Sequence, residues 1–136
     1  MNEAQARSNP LIILDRAEKL LSETYTTTRR YPKVDRYVLA ADTRQAAMEF
    51  LRLIIRAEKK YYKKTTLQDA DIVLEEIRHL FRYAYQLHYI SPKRYEIMSR
   101  LTTETGKLLG GWIKQQRAKR EFWGICRFNR GPARRD

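Results

Sequence analysis

Few residues of this chain could support acid–base or nucleophilic chemistry. His79 and His88 lie nine positions apart with no cysteine or aspartate at metal-ligand spacing, so no metal site is expected. Cys126 is the only cysteine, which excludes a disulfide framework and a thiolate-based zinc centre. The first 105 residues contain no glycine, so neither a P-loop nor a dinucleotide-binding glycine motif is present there, and no cofactor is expected. What remains is Arg82 and, with five residues between them, His88, a fixed cation and a titratable base that could together act on a phosphodiester.

The basic residues say more. Lys and Arg total 28 against 16 Asp and Glu, a formal net charge of +12. An excess of this size points to a polyanionic partner, most often nucleic acid. Between positions 29 and 64 there are 11 basic and 4 acidic residues. At 100° per residue, Arg52, Arg56, Lys59, Lys60 and Lys63 fall within an arc of about 100°, away from the apolar stripe that carries Leu51 and Ile54. Tyr61 and Tyr62 sit among these lysines and Lys64, offering stacking surfaces beside phosphate-reaching ammonium groups. Arg78 and Arg82 share a helical face away from the core, although Glu75, three residues before Arg78, could pair with it. From Lys114 onward the chain holds 8 basic and 2 acidic residues, half of the net charge, and Arg117, Lys119 and Arg120 are candidate nucleic-acid contacts.

The elements that must position these residues read as helices. A length of 136 residues suits one domain with one core. Pro10, Pro32 and Pro92 punctuate long segments without helix breakers. Segment one spans about 11–30, with Leu14, Ala17, Leu21, Tyr25 and Thr28 at helical spacing. Segment two spans about 34–62, with Tyr37, Ala40, Ala47, Leu51, Ile54 and Ile55 on its stripe, and would be roughly 40 Å long. Segment three opens with a capping-box pattern, Thr66 and Asp69, and buries Ala70, Val73, Leu74, Ile77, Leu80, Phe81, Ala84 and Leu87. Segment four opens with Ser91 as N-cap and Pro92 at the first helical position, then lines up Met98, Leu101, Thr105, Leu108, Leu109 and Trp112.

No strand alternation competes, so the expected fold is all-α, an antiparallel four-helix bundle with a basic C-terminal tail. Its expected boundaries are an N-terminal arm at 1–10, the bundle at 11–117 and a flexible basic tail at 118–136. Glycines inside a helix cost about 1 kcal/mol each relative to alanine. Gly106, Gly110 and Gly111 therefore signal close helix packing or assembly beside Trp112. Most tyrosines are expected in the core or at interfaces. The first nine residues, with Glu3 and no apolar stretch, do not read as a signal peptide, and a cytoplasmic protein is expected. A membrane partner is not expected, since the cationic flank has no exposed apolar face beside it.

Two resemblances bear on function. The Arg82–His88 spacing is similar to that of HEPN-type ribonucleases, in which Arg and His from paired helices act on an RNA phosphate. Tyr83 departs from that pattern, where a polar residue is usual, and the pair reads first as a surface arginine and an interfacial histidine. Segment four is the stronger case. Ser91-Pro92 followed by Glu104-x-Gly106-x-Leu108-Leu109-Gly110-x-Trp112-Ile113 resembles the last helix of the accessory variability determinant (Avd) proteins of diversity-generating retroelements. The long second helix and the Arg78-x3-Arg82 pair fit the same family, over about residues 11–117. The likeness extends to the four-helix proteins encoded by intervening sequences in 23S ribosomal RNA genes.

The Avd resemblance implies a non-enzymatic helper that assembles as a homopentameric basic barrel. Such a protein binds the retroelement's reverse transcriptase together with template RNA and cDNA, and supports adenine-mutagenic cDNA synthesis. It also implies that Arg78 and Arg82 correspond to the family's arginine pair on the third helix, associated with partner binding. The basic stripe on segment two comes from periodicity alone.

Overall fold

The structure, a computed structural model, describes the backbone of residues 10–130 and the side-chain surroundings of residues 12–119. Four α-helices follow one another: α1 (Pro10–Thr28), α2 (Leu39–Lys59), α3 (Lys64–Gln86) and α4 (Pro92–Arg130). A short 3-10 turn, Lys33–Asp35, lies between α1 and α2. Each helix packs on two neighbours, α1 on α2 and α4, α3 on α2 and α4. The short connections at 60–63 and 87–91 force antiparallel neighbours, and the result is the expected all-α four-helix bundle.

One stripe from each helix fills the core. Ile13, Ala17 and Leu20 of α1 meet Phe50, Leu53 and Ile54 of α2, Leu74, Ile77 and Phe81 of α3, and Met98, Leu109 and Trp112 of α4. Phe50 is fully buried, and truncating it to alanine would cost about 3–5 kcal/mol. The buried polar residues are threonines, and four of them need no distant partner. Thr24, Thr28, Thr43 and Thr105 each donate their hydroxyl to the carbonyl one turn back, at 2.7–2.8 Å. This local bond lets a β-branched polar residue sit in an apolar stripe without an unmet donor.

The stripes of α3 and α4 match their sequence periodicity except at Leu87, which caps the end of α3 and is exposed, whereas those of α1 and α2 are rotated by about one residue. The inward side of α1 is Ile13, Ala17, Leu20, Thr24, Thr27 and Thr28, so Ala17 and Thr28 face the core as expected, Leu14 and Leu21 lie at its edge and Tyr25 is exposed. On α2 the inward side is Leu39, Ala40, Thr43, Ala47, Phe50, Leu53, Ile54 and Ala57, so Ala40, Ala47 and Ile54 face the core as expected, Leu51 lies at its edge and Ile55 is exposed. Apolar periodicity missed this because the threonines carry half of the α1 stripe. The second segment is also shorter than its pattern. Residues 29–38 are not α-helical, because the Tyr89 hydroxyl bonds the Asp35 carboxylate and holds the 3-10 turn against the 87–91 connection. Tyr37, expected on the stripe, is 84% exposed there.

Helix starts show one agreement and one correction. Ser91 caps α4, its hydroxyl accepting from the Arg94 amide at 3.1 Å. Thr66 does not cap α3. That helix starts two residues earlier, at Lys64, and the Thr66 hydroxyl instead accepts from Lys60 Nζ at 3.1 Å. The fourth helix also outruns the boundary set for it. It has 39 residues and continues to Arg130, through most of the segment expected to be a flexible tail. Between Lys114 and Arg130 only Gly124 weakens helix propensity and the nearest proline is Pro132, so nothing breaks it. Residues 1–9 and 131–136, assigned to the arm and the end of the tail, lie outside the described residues.

Candidate nucleic-acid interface

The bundle gathers basic residues at the end that holds residues 60–63. The C-terminus of α2 brings Lys59 and Lys60 there, and α3 begins there with Lys64. Helix α4 passes the same place. Lys63 Nζ lies 5.9 Å from the centre of the Trp112 ring, and the Lys119 charge acts on it. Arg52 and Arg56 continue the strip back along α2, exposed like Lys59, Lys60 and Lys64. Arg117 and Lys119 are exposed on α4, whereas the side chain of Arg120 lies outside the described surroundings. Thus the residues of α2 and α4, separated by more than fifty positions in sequence, belong to one cationic end.

Two aromatic rings stand in the middle of it. Tyr61 and Tyr62 are 87% and 84% exposed, with ring centres 4.9 Å apart and planes at 86°. These tyrosines belong to neither core nor intrachain interface, contrary to the expectation for most of the set, because they occupy the turn between α2 and α3. Of the tyrosines with described surroundings, only Tyr31 is buried.

Lys63 has a different task from the one its spacing implied. Helical spacing from Arg52 places it on the next turn of α2, but that helix ends at Lys59 and the chain doubles back. Lys63 Nζ then donates to the carbonyls of Ala57 at 2.6 Å, Glu58 at 3.1 Å and Lys60 at 2.7 Å. It closes the C-terminus of α2, where unpaired carbonyls and the helix dipole favour a cation. Partial burial pulls its ammonium pKa below the ordinary lysine value; Glu58 opposes the shift and Lys119 adds to it.

Arg78 and Arg82 also part company. Arg78 leans across α4. Its Nη2 donates to the Thr102 carbonyl at 3.2 Å, its Nη1 pairs with Glu75 at 3.3 Å, and its Nε is buried without a partner. Gly106 makes this possible: a Cβ there would stand 2.5 Å from Arg78 Nη2. The glycine therefore admits an arginine where close packing of two backbones was expected. Gly110 meets nothing within 4 Å and makes no intrachain approach, since α4 presents it outward. Trp112 is in the core as expected. Arg82 is exposed and lines a groove between α2 and α3.

That groove carries no signal in the basic pattern. It is open, about 1260 Å³ in volume, with Ala46, Val73 and Leu80 in its lining and Ile72 and Tyr83 exposed beside them. Asp42 and Glu49 from α2 and Asp71, Glu75 and Glu76 from α3 line it as well. The acids were visible in sequence as Asp42 with Glu49 at i,i+7 and Asp71 with Glu75 at i,i+4. Only the packing of α2 on α3 makes them one surface.

His88 is neither interfacial nor within a helix. It follows the C-cap of α3 with φ 63°, exposed, while its amide bonds the Tyr85 carbonyl and the Tyr89 amide bonds that of Ala84. This is the doubly bonded left-handed stop of a helix, usually made by glycine. Among the described residues no group of three or more His, Cys, Asp or Glu side chains could hold a metal, and no helix is long and apolar enough to cross a membrane.

Comparison with known proteins gives one family. A family model described as bAvd-like matches residues 11–116, about four-fifths of the chain and at least part of each of the four helices. No curated protein matches the chain.

Proposed function

Because this chain belongs to the bAvd-like family of Avd-type accessory proteins, we propose that it is a non-enzymatic partner of a retroelement reverse transcriptase. In this reading it acts in the cytoplasm as a homo-oligomer, a pentamer by family resemblance, and holds template RNA and its cDNA during mutagenic cDNA synthesis and retrohoming. The observation that carries the nucleic-acid part is the cationic end with Tyr61 and Tyr62 exposed at its centre. Ammonium groups reach phosphates without regard to sequence, and exposed rings stack on unpaired bases, each worth about 1–3 kcal/mol. The strip Arg52, Arg56, Lys59, Lys60 and Lys64 would track a strand towards Arg117 and Lys119. Lys63 holds the turn that presents the two rings.

The family-matched arginine pair divides the polymerase-binding task. Arg82, exposed at the α3 end of the groove, is the residue free to contact the polymerase, and Arg78 stiffens the α3–α4 crossing beneath it. The test is RNA binding by a variant with Lys59, Lys60 and Lys64 changed to glutamate, in gel shifts at several salt concentrations. A loss of about tenfold or more, with a shallower salt dependence, is expected. Unchanged affinity would remove the cationic end as the RNA surface. Retention of reverse transcriptase by that variant would separate the RNA and polymerase functions.

A further inference from the structure

In a chain with a net charge of +12, five of the sixteen acidic residues line a single groove, the one between α2 and α3. Its lining has Ala46, Val73 and Leu80 between the acids and Ile72 exposed at 57%, together with His79 and with Arg82 three turns along α3 from Asp71. A phosphate backbone would be repelled there, so the groove is closed to the ligand that the opposite charge elsewhere attracts. An apolar groove rimmed by carboxylates suits an amphipathic helix carrying cations on either side of a small-residue centre.

The chain itself owns such a helix face. On α4, Lys107, Lys114 and Arg117 flank Gly110 and Gly111, with Ile113 half-buried next to them and no acid in the set. The space over Gly110 is empty to 4 Å, so another backbone can come close. Gly110 has no intrachain packing that accounts for its cost in a helix.

We propose that the α2–α3 groove of one copy seats the outward face of α4 of a second copy. Lys107 and Lys114 would then face the groove's carboxylates, while Gly110 and Gly111 let the helix settle onto Ala46, Val73 and Ile72. The contact joins two different surfaces, so it is head-to-tail, and a head-to-tail contact that closes makes a ring. It rests on the assembly part of the proposed function and assigns the surfaces that make it.

The experiment is solution mass by light scattering on nuclease-treated full-length protein in two complementary variants. One carries Asp71→Lys and Glu76→Lys in the groove; the other carries Gly110→Leu on α4, where the open space accommodates the side chain within the monomer. Glu75 is left intact because it pairs with Arg78 and His79. Wild type is expected to assemble and each variant to be a folded monomer by circular dichroism. Mixed in equal amounts, the variants should form a species of two chains and no larger, since one intact groove and one intact α4 face remain between them. A variant that assembles like wild type, or a mixture that stays monomeric, would overturn the assignment while leaving the assembly reading standing. A wild type that is monomeric at about 100 µM would overturn both. If the groove variant fails to fold, Ile72→Glu replaces it with the same expected outcomes.

Discussion

Arg78 occupies the space that a side chain on Gly106 would need, its Nη2 lying 2.5 Å from where that Cβ would begin. The guanidinium reaches over the glycine to the Thr102 carbonyl of the same helix. An arginine of α3 and a glycine of α4 are therefore one structural unit, although nothing in either segment alone requires the other.

That unit predicts non-additivity. Gly106→Ala in an exposed helix would stabilise by about 1 kcal/mol, but here it displaces a charged hydrogen bond, and the net change is expected between zero and about 2 kcal/mol of loss. On an Arg78→Ala background the same change should stabilise by about 0.5–1 kcal/mol, since the obstruction is gone. Urea denaturation of the four proteins measures the cycle. Additive effects would mean that the two residues do not interact.

The two arginines should behave differently when removed. Arg78→Ala is expected to cost about 1–3 kcal/mol of stability, because it removes the charged donor that joins Glu75 of α3 to the Thr102 carbonyl of α4. Arg82→Ala should change stability by no more than about 0.5 kcal/mol, as exposed substitutions do, and reduce capture of reverse transcriptase in pull-downs. Undiminished capture by the stable Arg82 variant would remove this residue from the polymerase surface.

Lys63 should register as a stability residue rather than as a phosphate contact. Lys63→Met loses three donations to the end of α2 and is expected to cost about 1–2 kcal/mol. Lys59→Ala or Lys64→Ala should each leave stability nearly unchanged and lower the slope of log affinity against log salt for single-stranded RNA by about 0.7. Thermal melts and salt-dependent filter binding together decide the assignment.

Alkaline stability reports on Tyr31. Its hydroxyl is buried without a partner, and burial pushes its pKa up to about 12. The folded state therefore holds this proton more tightly than the unfolded chain, whose phenol titrates near 10. Its contribution is complete below about pH 10 and falls as pH rises through about 12, by about 3 kcal/mol in all. Tyr31→Phe should be neutral or stabilising at pH 7 and lose less stability between pH 10 and 12 than wild type. Tyr89, raised by its bond to Asp35, changes in the same direction in both proteins and cancels in the comparison. Identical alkaline curves for the two proteins would refute the burial argument.

Much of this protein was legible in its sequence. Proline and glycine placement, apolar periodicity and the Ser91–Pro92 start fix four helices, and short connections make them antiparallel, because these signals act within a few residues of chain. Charge composition is also local, so a basic surface near Lys59 to Lys64 was readable. Tertiary packing alone decided the rest. The inward side of α1 depends on threonines that satisfy themselves one turn back. The fate of Lys63 depends on α2 ending at Lys59, and that of Arg78 on a glycine twenty-eight residues away. The acidic groove exists only because α2 and α3 lie side by side. Periodicity tells which residues share a face of one helix, but contact between faces depends on rotation and register between helices, which the energy of the whole core sets.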